Sequence, residues 1–190
     1  MARKIPSYAE KVFTGALHDV YQWRREMFDG SFQIFEGLRR RDAVVVIAIT
    51  NGKKIVMNYE SQPGSGSFFG LPSGESEQDD LLGEAQRELE EETGYTSNQW
   101  KKLYTSDILN YDMMEWNNHV YIAKHCNLNG RRSNDPGERI HTKLVSFEEF
   151  ISLSQLPDFR NGEMKRRIFT MLHTKDSEEE LKTFRGAIFD

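Results

Sequence analysis

The sequence predicts an α/β domain, an α/β/α sandwich around a mixed sheet, preceded by an N-terminal β-hairpin. Three observations carry that expectation. Residues 43–50, AVVVIAIT, form a continuous β-branched run of the kind buried on both faces of a sheet. Residues 81–93 place Leu81, Leu82, Ala85 and Leu89 along one helical arc, the side a helix packs against a core. Strand-like runs flank this helix, and further helical segments close the chain.

Taken in order, residues 1–11 read as a tail. Residues 18–28, HDVYQWRREMF, are rich in strand formers. Asp29-Gly30-Ser31 is a turn, and SFQIFEGLRR returns as a second strand. This tail and hairpin, residues 1–40, belong to the same domain as the body, residues 41–190. The hairpin either covers the domain's own sheet or contributes to a homodimer, with Trp23, Met27, Phe32 and Phe35 as apolar contact residues.

After AVVVIAIT comes the hairpin turn Asn51-Gly52, and KKIVMNYE runs back. SQPGSGS is a loop, and FFGL a short strand leading to the helix. Beyond the helix, residues 100–109 and 115–126 read as strands joined by Asn110-Tyr111-Asp112. NLNGRRSNDPG is a polar, turn-rich loop, and residues 139–145 form another strand. Ser146-x-x-Glu149 is a capping box that opens the helix FEEFISL. EMKRRIFTML follows as a helix, and DSEEELKTFRGAIFD adds a short one.

The chemistry concentrates on the middle helix. Each helical step turns about 100°, so Glu84 and Glu92 fall roughly 40° to either side of Glu88, and Glu91 about 60° away. Four carboxylates share one arc. Like charges at this spacing destabilise a helix, and two carboxylates ~4 Å apart repel by roughly 1 kcal/mol in water and about 4 at an effective dielectric of 20. A hard divalent cation with oxygen ligands offsets that cost; a solvated acidic face is the plain alternative. Gly94 is placed to end the helix in a left-handed conformation.

Arg87-Glu88-Leu89-Glu90-Glu91-Glu92-Thr93-Gly94-Tyr95, together with the Gly-containing loop before it, resembles the signature of the Nudix hydrolases, G-x5-E-x7-R-E-U-x-E-E-x-G-U. Arg87, Glu88, Leu89, Glu91, Glu92 and Gly94 match, and Tyr95 takes the last apolar place. Asp79 stands where the family has Glu. The family's Gly falls on Ser73, or on Gly74 in a loop one residue shorter. Pro72-Ser73-Gly74 resembles the Pro-x-Gly of ADP-ribose pyrophosphatases and favours Gly74.

The resemblance implies a magnesium or manganese site held by Glu88, Glu92 and Glu91, with a backbone carbonyl near Gly74, on which a diphosphate is hydrolysed. It implies that Arg87 orients a glutamate of its own helix. It also implies a glutamate before the last sheet strand, where Glu138 stands, as a base or an added ligand; the alternative is an exposed loop residue. Glu91 is the other candidate base. Arg131 and Arg132 share the Glu138 loop and are candidate phosphate contacts, or a solvated pair. Phe68, Phe69, Tyr111 and Trp116 are candidate stacking partners for a nucleobase, or core residues. In the ADP-ribose branch a Gln-x-Arg-like segment precedes the box; here Asn58-Tyr59-Glu60-Ser61-Gln62-Pro63 stands there without the arginine.

Composition limits the alternatives. The net charge of −5 argues against a nucleic-acid binder held by phosphate contacts. Cys126 is the single cysteine, so the chain builds no disulfide framework of its own. No apolar run approaches 18 residues, so no membrane span is expected, and the cytoplasm is the expected location. The expectation is thus a metal-dependent hydrolase of nucleoside diphosphate sugars, with ADP-ribose first. A nucleoside triphosphate pyrophosphohydrolase and a non-catalytic ADP-ribose-sensing domain are the alternatives.

Overall fold

The structure, a computed structural model, describes residues 5–76, 80–107, 114–133 and 135–190. Twelve strands and four helices are assigned among these. The N-terminal strands are β1 (Glu10–Thr14), β2 (His18–Glu26) and β3 (Phe32–Arg40). The body continues with β4 (Ala43–Thr50), β5 (Ile55–Gln62), β6 (Gly66–Gly70), β7 (Ser73–Glu75), α1 (Leu81–Thr93), β8 (Tyr95–Thr96) and β9 (Gln99–Asp107). It ends with β10 (Met114–Glu115), β11 (Asn117–Leu128), β12 (Arg139–Val145), α2 (Phe147–Ser154), α3 (Gly162–Leu172) and α4 (Ser177–Phe189).

The central sheet is mixed, as expected. β4 runs parallel to β11, while β5, β7, β9 and β12 pair antiparallel with their neighbours. The AVVVIAIT strand explains the layering. Its alternate side chains point to opposite faces. Val45, Ile47 and Ile49 join Phe150, Met164, Ile168 and Ile188 under α2, α3 and α4. Val44, Val46 and Ala48 join Ala85 and Leu89 under α1. The result is the predicted α/β/α sandwich, with β4 buried on both sides.

One irregularity positions the site. β4 and β5 are bonded only at their hairpin end, through Ala48↔Val56 and Ile49↔Ile55. Beyond that point β7 pairs with β4 over Ala43–Val45, and β6 pairs with β5 from Asn58 onward. The two strands therefore diverge, and the second half of β5 faces the segment that feeds α1.

The helix caps follow local chemistry. Asp80 accepts from Gly83 N at 3.0 Å at the start of α1. Gly94 closes α1 at φ 74° and returns its N–H to Glu90 O. Ser146 caps α2 by accepting from Glu149 N at 3.1 Å.

The predicted hairpin forms, with Gly30 at φ 80° in its turn. Two features differ from the sequence reading. Residues 10 and 11, read as tail, belong to strand β1, which pairs with β2 through a bulge near Val12. The hairpin is also tied to the body by β10, parallel to β3, and by Arg39, which donates to Glu115 at 2.8 Å. Trp23 is buried against Ile5 and Gly37, with Phe35 6.2 Å away. One face of the hairpin thus covers its own chain. The opposite face carries Phe13, Val20, Leu38 and Met114 in a register row across all four strands, with Ile34 and Phe32 beside it. No helix among the described residues is long and apolar enough to cross a membrane.

Candidate active site

The cleft side of α1 is organised by Arg87. Its guanidinium donates to Glu84 at 2.9 Å, Glu88 at 2.5 Å and Glu91 at 2.5 Å. Burial alone would weaken the cation, but Glu84, Glu88 and Glu91 hold it charged and above its ordinary pKa. Arg87 thus holds the glutamates of its own helix. Burial raises the Glu88 carboxyl most, Arg87 opposes this, and Glu91 and Glu84 add to the rise; it is pushed up to about 7. Gly74 on β7 lies against this carboxylate. A Cβ there would overlap the Glu88 carboxylate where it stands, so a larger residue would require that side chain to shift.

Glu92 lies one turn further on and is buried. Its Oε2 accepts from Asn58 Nδ2 at 2.7 Å and from Ser73 N at 3.3 Å. Burial lifts its pKa well above the ordinary range, and Glu88, Glu60 and Glu138 add to the effect. Glu60, also buried, is raised by burial and then by Glu138. Glu138 is raised by burial and by Asp135, against the opposing pull of Gln62 and Arg160. Carboxylates on three elements therefore destabilise one another's charged forms across one space.

That space is a cleft of about 1210 Å³. Glu88, Glu91, Glu92 and Gly74 line it together with Glu60 and Gln62 of β5, Phe68 of β6, Arg160 and Glu163. Gln62 joins the two halves. Its Nε2 donates to Glu60 at 2.7 Å and to Glu138 at 3.1 Å, and its Oε1 accepts from Arg160 Nη1 at 2.7 Å. Two buried polar atoms of residues lining the cleft, Trp116 Nε1 and Asn118 Oδ1, have no hydrogen-bond partner among the described residues.

Oxygen donors crowded at raised pKa values are the chemistry that suits a hard divalent cation. Glu88, Glu92, Glu91 and the Gly74 backbone fit it in type. Among the described residues no three acidic, histidine or cysteine side chains already converge as a metal-holding group. Arg87 lines the same cleft and holds Glu84, Glu88 and Glu91 by hydrogen bonds.

The other sequence candidates are distributed as follows. Glu138 lines the cleft. Arg131 and Arg132 stand outside its lining. The Arg131 N–H donates to Glu90, and the Arg132 guanidinium donates to Ile140 O at 2.7 Å. Phe68 lines the cleft, whereas Phe69, its neighbour along the strand, packs on Tyr59 at 4.9 Å and against the other core. Trp116 lines the cleft beneath Arg40, 4.4 Å from its guanidinium. Tyr111 and Asp79 lie outside the described residues.

Sequence reading missed Asn58, Glu60 and Gln62 as a set. The signal was present: polar residues at i, i+2 and i+4 of a strand share one face. It missed Arg160 because DFRNG carries no periodic pattern.

A divided sheet with an acidic helix facing the opening is the class of scaffold these residues build. The NUDIX domain profile matches residues 39–171, and the chain belongs to this family as a Nudix hydrolase. It is similar to an ADP-ribose pyrophosphatase of Bacillus subtilis (strain 168), 30% identical over 150 residues, covering 76% of this chain and 79% of that protein. It is also similar to a methanol dehydrogenase activator of Bacillus methanolicus, 36% identical over 120 residues, covering 60% of this chain and 63% of that one. A crystal structure of an ADP compounds hydrolase shares the fold, with a TM-score of 0.71 at 20% identity and 93% of each chain covered.

Proposed function

We propose that the chain hydrolyses the diphosphate of a nucleoside diphosphate sugar, with ADP-ribose, giving AMP and ribose 5-phosphate, as the first substrate. The observation that carries this reading is the meeting of Glu88 and Glu92 with Glu60 and Glu138 over one cleft. The similarity to an ADP-ribose pyrophosphatase supports the choice of sugar. GDP-mannose and ADP-glucose belong to the same chemical class.

Glu88, Glu92, Glu91 and the Gly74 carbonyl would hold magnesium or manganese. The cation would neutralise the diphosphate and lower the pKa of the attacking water. Asn58 and the Ser73 N–H fix the Glu92 carboxylate, so its direction is set before substrate arrives. Arg87 keeps Glu88 and Glu91 on the cleft side of α1. Water attacks one phosphorus, the bridging P–O bond breaks, and the water's proton passes to Glu138. The raised pKa of Glu138 makes it a better proton acceptor than an ordinary carboxylate. Glu91 is the alternative base.

A homodimer accompanies this reading. Phe13 and Ile34 are each 60% exposed and Phe32 54% exposed, on the face of the N-terminal sheet turned away from its own chain. That apolar face fits a second copy. Residues 1–40 then act as an assembly segment of the same domain, and 41–190 as the catalytic body.

The experiment is direct. Metal-stripped protein is supplied with ADP-ribose and either Mg²⁺ or Mn²⁺, and phosphomonoester release is read with an added phosphatase. Release that depends on the metal supports the reading. Tight binding without release identifies a sensing domain instead.

A further inference from the structure

We propose that Arg160, on the connection between α2 and α3, is a substrate-phosphate contact, and that Gln62 and Phe68 are the residues that position it. This deepens the diphosphate reading above and rests on it.

Four arginines line the cleft, Arg40, Arg87, Arg160 and Arg166, and their commitments differ. Arg87 is bound to three glutamates, and Arg40 is paired with Glu75. Arg160 has a different environment. Among the described residues no carboxylate lies within ion-pairing distance of it. Its Nη1 donates to the neutral amide of Gln62 at 2.7 Å, and its guanidinium lies 4.1 Å from the centre of the Phe68 ring. A guanidinium has five N–H donors in a planar fork. One is used here, and no other described residue takes a hydrogen bond from the rest.

Two contacts fix such a group without neutralising it. The Phe68 face fixes the plane, and the Gln62 acceptor fixes the edge. A fork held this way loses little freedom on binding an oxyanion bidentately. The backbone beneath it is secured separately: Arg160 N donates to Phe69 O at 2.8 Å, and Phe69 N to Asp158 O at 3.0 Å. The side chain is therefore not needed to hold the loop.

The placement has a chemical purpose. One end of the cleft is lined by the carboxylates of α1, and Arg160 lines the side near β5 and β6. A diphosphate across the cleft carries charge on both phosphoryl groups. Arg160 is bound to Gln62, which holds Glu60 and Glu138, so it is the cleft arginine set beside those two carboxylates. Gln62 also donates to Glu138, so a single amide sets both the phosphate-binding fork and the carboxylate beside it.

The test measures binding first, with the metal-loaded enzyme and α,β-methylene-ADP as the probe. Arg160→Ala should weaken Kd by about tenfold or more at unchanged Tm, since a charge-assisted hydrogen bond to phosphate is lost. Arg160→Lys should recover part of the loss. Gln62→Leu should weaken binding in the wild-type background and add little to Arg160→Ala, because it acts through the same fork. With ADP-ribose as substrate, Arg160→Ala should raise KM and leave kcat within about threefold. A wild type that binds the probe but turns over no nucleotide sugar would count against the diphosphate hydrolysis reading and leave this assignment standing. Equal probe affinity in wild type and Arg160→Ala, no wild-type binding, or strictly additive Gln62 and Arg160 effects would overturn it.

Discussion

The Asn58 amide donates to Glu92 Oε2 at 2.7 Å, and both residues are buried where β5 faces α1. A strand side chain thus fixes the direction of a helix carboxylate. The contact exists because β4 and β5 part after Val56, leaving the later half of β5 to face the helix.

Glu92→Gln should lower kcat by at least ~10²-fold, because one charge that holds the metal is removed. The fold should survive, because the amide keeps the side chain's size and its oxygen can still accept from Asn58 and Ser73 N. Turnover near the wild-type rate in folded Glu92→Gln would remove Glu92 from the reaction.

The pKa directions give a stability profile. Glu88 moves from an ordinary value near 4.5 to about 7, and Glu92, Glu60 and Glu138 move the same way. The folded chain then holds more protons than the unfolded chain between these values, so stability falls as pH rises. For Glu88 the contribution is complete below pH 4.5 and is lost as pH passes 7, and the other three act in the same direction. Measured in EDTA, Tm should decline across this window, and Glu88→Gln should flatten the decline. Added Mg²⁺ should raise Tm most at the high-pH end. A flat metal-free profile that Glu88→Gln leaves unchanged would contradict the assignment.

Glu138→Gln keeps the size of the side chain and removes its charge. If Glu138 accepts the water's proton, kcat should fall by roughly 10²–10⁴-fold with little change in KM. If it ligates a metal, raising Mg²⁺ should recover part of the loss. Wild-type kinetics at every Mg²⁺ level would pass the base to Glu91.

The central layers were legible in the sequence because their patterns are local. AVVVIAIT announced a strand covered on both faces, and the helix from Leu81 to Thr93 announced its acidic arc and a packed arc through Ala85 and Leu89, although Leu82, placed on that arc, is exposed. The hold of Arg87 on its neighbours also follows from helical spacing. What was hidden depends on long-range register. Asn58, Glu60 and Gln62 share a face, but only the divergence of β4 from β5 turns that face toward α1. Arg160 reaches Gln62 across 98 residues, from a segment with no periodicity. Arg131 and Arg132 adjoin Glu138 in sequence, yet they are drawn to Glu90 and Ile140 instead.

The N-terminal sheet gives an assembly prediction. The sequence offered Trp23 and Phe35 as contact residues, but Trp23 is buried within its own chain and packs near Phe35. Phe13, Phe32 and Ile34 remain on the open face. Light scattering at micromolar concentration should report a dimer. Ile34→Lys with Phe32→Glu should shift it toward monomer with Tm changed little. A wild-type monomer at full activity would rule the dimer out.

The most direct measurement is kcat/KM for a panel of substrates with Mg²⁺: ADP-ribose, ADP-glucose, GDP-mannose and the nucleoside triphosphates. The predicted result is that a nucleoside diphosphate sugar leads the panel, with ADP-ribose first and products AMP and ribose 5-phosphate, and that activity vanishes in EDTA. Preference for a triphosphate with release of pyrophosphate, or turnover unaffected by EDTA, would contradict it.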